Sequence, residues 1–146
     1  MKHVKVNTAL FGAEVSASVE LDQLYITVYA NRIAHIFIKE NEQVTMETVA
    51  VTQEYFATLG EEKRYHLIFE YGKIVDLEPE VRKKRAEEGG SKYALTDVFV
   101  VQNLGQRIIA DFYMRFNRPT RPTKITSSVE NAIHWTKKQM EVYESA

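Results

Sequence analysis

Two strand-then-helix units lie back to back between Ala94 and Trp135, and no other stretch constrains the fold as strongly. Ala94 to Val101 reads as a buried strand, and Asn103 with Gln106 three residues later is a capping-box pattern that opens a helix. Apolar residues recur at Leu104, Ile108, Ile109, Phe112, Tyr113 and Phe116, a stripe that predicts a helix lying on a sheet. Pro119 and Pro122 end it, because proline lacks an amide hydrogen and pushes its predecessor out of helical geometry. A short strand over Thr123 to Thr126 follows. Ser127 with Glu130 makes a second box, before a stripe at Val129, Ala132, Ile133, Thr136, Met140 and Tyr143. Parallel strands joined by a crossover helix need this arrangement, so an open α/β sheet is expected.

Size and composition set the bounds. A chain of 146 residues fits one domain, and a formal charge of −1 argues against a dedicated nucleic-acid binder. Without cysteine there are no disulfides, thiolate metal sites or thiol nucleophiles. The opening residues lack the apolar core of a signal peptide, and no later run approaches a membrane span. A soluble cytoplasmic protein, with no membrane partner, is therefore expected.

Upstream, residues 1 to 16 show no sustained period and read as an N-terminal extension that contributes at most an edge strand; residues 17 to 146 read as a single domain. Leu24 to Ala30 and Ile33 to Ile38 are β-branched and aromatic runs, with a tight turn expected at Asn31-Arg32 because Asn tolerates positive φ. Thr45 caps the next helix, and Gly60 ends it. Tyr65 to Tyr71 is the next strand. A helix over about Glu78 to Glu88 begins with Pro79, where a missing amide hydrogen costs little, and Gly89-Gly90 terminates it. Only Val81 and Ala86 are apolar within that helix, so it should bury a narrow stripe and remain largely exposed. The order is β-β-α-β-α-β-α-β-α, an antiparallel hairpin entering a mostly parallel sheet flanked by helices.

This order, with the segments Ile68 to Arg82 and Asp111 to Lys124 and the Ala132 and Trp135 positions near the end, resembles the STAS-like (SpoIIAA-like) domains, named for sulfate transporters and anti-sigma factor antagonists. The closer likeness is to small bacterial members of unknown function. The resemblance covers roughly residues 22 to 140 and implies a fold more than an activity. In anti-sigma factor antagonists a serine at a helix start is phosphorylated to switch partner binding. The corresponding positions here are Glu78, Pro79 and Glu80, and no serine or threonine lies between Tyr65 and Glu88. The resemblance thus implies an interaction module without the phospho-switch, presenting a constant acidic helix start.

Candidate chemistry is sparse. His3, His35, His66 and His134 lack metal-ligand spacing; His35 and His66, in strand runs, read as sheet residues satisfied by hydrogen bonds. There is no GxSxG elbow, and neither phosphate-binding glycine motif occurs. Ser127 and Ser128 read as caps. Catalytic residues, a metal site and a cofactor are not expected. Two basic groups remain. Arg82 to Arg85, between Glu78, Glu80, Glu87 and Glu88, reads as a solvated face of mutually supporting charges. Arg115, Arg118, Arg121 and Lys124 gather around the turn after the Leu104 helix. They read as capping charges, or as a patch for an anion or an acidic partner.

The leading expectation is a non-enzymatic regulatory domain, monomeric or homodimeric, that binds a protein partner through Glu78, Glu80, Val81, Arg82 and Arg85. The alternative is binding or sensing of a small apolar or anionic ligand, motivated by seven Phe, eight Tyr and the pockets that α/β sheets form at strand ends.

Overall fold

The computed structural model describes residues 6–87 and 92–145. The expected helix terminators Gly89 and Gly90, the helix residue Glu88, and His3 lie outside the described residues.

Six strands form one mixed sheet: β1 (Val15–Glu20), β2 (Leu24–Tyr29), β3 (Ile33–Ile38), β5 (Tyr65–Tyr71), β7 (Ala94–Val100) and β8 (Thr123–Thr126), adjacent in that order. β1, β2 and β3 pair antiparallel; β3, β5, β7 and β8 run parallel. The α/β expectation and the antiparallel hairpin Leu24 to Ile38 therefore hold. The helix α1 (Thr8–Phe11) precedes the strands, α2 (Met46–Thr58), α3 (Pro79–Ala86) and α4 (Leu104–Phe112) lie between them, and α5 (Val129–Ser145) follows them. A parallel two-stranded ribbon of β4 (Glu42–Val44) and β6 (Val75–Leu77) was not anticipated, because strands of three residues leave little periodicity to read.

Alternation along the strands divides the core. Leu24, Ile26, Val28, Ala34, Ile36 and Leu67 face α2, α3 and the ribbon; Tyr29, Ile33, Ile68, Val98 and Val100 face α5 and α1. Within the stretch read as an extension, Phe11 is buried and stacks on Tyr29 with ring centroids 4.2 Å apart. β1 starts at Val15, inside that stretch, and continues beyond it. Full burial of each such side chain is worth about 1.5–3 kcal/mol.

Local signals set most helix starts. Thr45 and Thr48 form a reciprocal capping box for α2. Asn103 accepts from the Gln106 amide at 2.9 Å. Two local expectations shift. At the hairpin turn it is Arg32 that takes the positive φ of 73°, while the Asn31 side chain binds the Phe11 carbonyl and the Ile33 amide. At α5 the cap is Ser128, whose hydroxyl accepts from the Asn131 amide, and not Ser127.

The main correction concerns α4. Its stripe was expected to lie on the sheet, yet the helix contains no buried residue. Leu104, Ile108, Phe112 and Phe116 are 73, 59, 49 and 61 % exposed. The inward side of α4, Gln106, Ile109 and Ala110, borders a space that α2, α3 and the ribbon also enclose above the strand ends, and the rest of the stripe faces solvent. After Phe112 the helix widens into a π turn over Tyr113–Asn117, which sends Tyr113 into the core against Phe99 and leaves the tilted rings of Phe112 and Phe116 in contact outside, with centroids 4.5 Å apart.

Candidate functional site

The residues of interest converge around one end of the parallel strands. α3, short of apolar residues, uses Val81 and Ala86 as its buried stripe. The same inward turn carries Arg85 toward Asp97 on β7, which is completely buried. Arg85 donates to both Asp97 oxygens, at 2.7 and 3.2 Å, and its guanidinium lies 4.8 Å from the Phe69 ring. From the turn after the Leu104 helix, Arg121 donates to Asp97 at 2.8 Å and also to the Arg85 carbonyl. Burial works against the charge on Arg85, but the charge and hydrogen bonds of Asp97 outweigh it and hold the guanidinium above its ordinary value.

The expected basic groups thus behave differently from their reading. Arg85 was placed on a solvated face, and it is bound to Asp97 because the carboxylate leaves a buried counter-charge that only an inward-turning cation can meet. Arg121 leaves its neighbours for the same reason, while Arg115, Arg118 and Lys124 stay exposed. Of the residues expected to meet a partner, Val81 is buried, Arg82 turns back to the Leu77 carbonyl at 3.0 Å, Glu78 is half-buried and Glu80 is exposed on the first turn of α3. They do not form one outward surface.

Above this cluster a cavity of about 120 Å³ opens at the C-terminal ends of β3, β5 and β7. Ile36, Phe69, Val81, Phe99 and Val101 form apolar walls, α2 contributes Thr48, Thr52 and Gln53, and Gln106, Ile109, Ala110 and Tyr113 close it from the α4 side. Gln106 ties α4 to the loop after β5 by donating to the Gly72 carbonyl at 2.7 Å. Burial pushes the Tyr113 hydroxyl up to about 12, Asp97 adding to the rise and Arg121 and Arg85 opposing it. Burial likewise pushes Tyr71, another cavity residue, far above the ordinary tyrosine range.

His35 and His66 take the hydrogen-bonded sheet positions expected of them. His35 Nε2 lies 2.9 Å from a Glu70 carboxylate oxygen, and His66 Nδ1 lies 2.9 Å from the Thr96 hydroxyl directly across the ladder. Burial lowers His66 to about 4. Among the described residues, no group of three or more His, Asp or Glu could hold a metal ion, and no helix is long and apolar enough to cross a membrane.

Residues 27–140 match the family model described as "Domain of unknown function (DUF7793)". The chain belongs to the DUF7793 family. No curated protein and no solved structure matches it. The DUF7793 match spans β3 to most of α5, and so includes the Arg85–Asp97–Arg121 cluster, the cavity and α4.

Sequence reasoning did not single out Asp97, took Tyr113 only as part of an apolar stripe, and raised a pocket at the strand ends only in general, without its lining residues. An aspartate in the middle of an apolar strand run was the available signal, since such a carboxylate has to be met by a cation or a donor.

Proposed function

We propose that this DUF7793 protein is a non-enzymatic interaction domain of STAS-like type whose docking surface is the apolar face of α4, and that its occupant is a partner protein segment with an apolar stripe and acidic flanks. The exposure of Leu104, Ile108, Phe112 and Phe116 carries the proposal: a contiguous apolar helical stripe of this kind on a protein surface marks an interaction site. The α/β order with its antiparallel entry supports the STAS-like reading.

Charge selects the occupant. Lys73, Arg107, Arg115 and Arg118 flank the stripe, and Asp111 is the only acid between Asn103 and Val129. A second copy docking through a two-fold would bring this basic rim against itself. An acidic segment would complement it.

A photo-reactive residue at position 112 should cross-link a partner in the native host. That partner, purified, should bind the wild type and lose at least about tenfold in affinity for Phe112→Asp or Arg115→Glu. Binding should also weaken as salt rises from about 0.1 M to about 1 M, where screening shortens from about 10 Å to about 3 Å. Equal binding by the variants, a dimer that needs Phe112, or adsorption to anionic vesicles through the same stripe would each overturn it.

A further inference from the structure

We infer that the cavity beneath α4 binds a compact, neutral, apolar molecule, a single aromatic ring or an aliphatic body of similar size.

The volume sets the size of the ligand. At about 120 Å³ the space approaches the roughly 150 Å³ of an apolar protein cavity that stays dry and accepts benzene. An empty space of that size leaves its walls without the dispersion contacts that close packing supplies elsewhere in a core, and a ligand of matching volume restores them. The ends of parallel strands are also where open α/β sheets hold ligands.

The walls set its polarity. Ile38, Leu77, Val81 and Val101 offer branched apolar contact, and Phe69 and Phe99 add aromatic surface. Among the described residues, no Asp, Glu, Lys or His lines the space. The polar side chains that do line it are committed within the protein. Arg85 is held by both oxygens of Asp97, and Arg82 donates to the Leu77 carbonyl. Gln106 donates to the Gly72 carbonyl and accepts from the Gln102 amide. Thr52 donates to the Thr48 carbonyl at 2.8 Å, the Thr48 hydroxyl belongs to the α2 capping box, and Gln53 is not free either. The Tyr113 hydroxyl interacts with Arg121, which lies outside the walls. Burial holds Tyr71 and Tyr113 above the ordinary tyrosine range, so neither is charged near neutral pH. A ligand carboxylate or ammonium would lose its water here with no free partner to replace it, whereas an apolar body gains from leaving water.

The site is separate from the docking face, since Leu104, Ile108, Phe112 and Phe116 take no part in its walls. Its fate is therefore independent of the partner proposal.

Titration of the full chain with benzene and with benzoate, followed by amide and methyl resonances, tests it. Benzene should saturate with a Kd on the order of 1 mM or tighter, and its protons should show Overhauser contacts to the Val81, Val101 and Ile109 methyl groups. Those contacts locate the ligand in the wild type without any variant. Benzoate should bind at least about tenfold more weakly, because its charge finds no free partner in the walls. Ala110→Phe, which puts a ring of its own into the space, should weaken benzene at least about tenfold, and Phe112→Asp should leave benzene affinity unchanged. No saturation by about 10 mM benzene would overturn the inference. So would benzoate affinity equal to or above that of benzene, contacts to Leu104, Ile108 and Phe116 in place of the cavity residues, loss of benzene binding in Phe112→Asp, or an Ala110→Phe variant that binds benzene as the wild type does.

Discussion

Arg85 grips Asp97 through two hydrogen bonds of 2.7 and 3.2 Å, joining α3, a helix with only two buried residues, to the middle of strand β7. The pair explains how α3 stays docked with only Val81 and Ala86 buried. It also leaves Arg121, which shares the same carboxylate, bound within the core.

Removal of the shared carboxylate should be costly. Asp97→Ala leaves two inward guanidiniums without their counter-charge and is expected to lower stability by about 3–5 kcal/mol. Urea unfolding measures it; a loss below about 1 kcal/mol would mean that water reaches the guanidiniums freely.

The α4 stripe should contribute little to folding despite its hydrophobicity. Ile108→Ser and Leu104→Ser are expected to change stability by no more than about 0.5 kcal/mol, the range of surface substitutions. Phe56→Ala, buried beside Tyr65 and Tyr93, should cost about 3–5 kcal/mol. Denaturation of the three variants side by side decides whether α4 packs on the sheet after all.

Acid should weaken the fold through His66. Its folded value lies near 4 against an ordinary value of 6.5, so between those values the unfolded chain binds the extra proton. This group has no effect on stability above about pH 6.5, lowers it as pH falls toward about 4, and has a constant effect below. In His66→Leu the unfolding midpoint should vary less across that window than in wild type; matching profiles would remove His66 as the cause.

The α2 start rests on one reciprocal box. Thr45→Ala should cost about 1 kcal/mol, within the 0.5–2 kcal/mol of a lost N-cap, while Thr45→Asp should recover most of it. Thermal unfolding of the two variants provides the comparison.

Interactions that span a few residues were legible in the sequence. The runs Leu24 to Tyr29, Tyr65 to Tyr71 and Ala94 to Val100 announce buried strands by composition, and Thr45 and Asn103 announce helix starts because a cap binds an amide three residues away. What the sequence could not show is where each surface goes once the elements meet. Arg85 and Arg121 find Asp97 across 12 and 24 residues, and Leu104, Ile108, Phe112 and Phe116 are left facing solvent. An amphipathic pattern records that a face is apolar. Only the way the helix comes to sit against α2, α3 and the ribbon decides whether that face is buried by its own chain or left exposed, because burial depends on surfaces that distant parts of the chain bring to it.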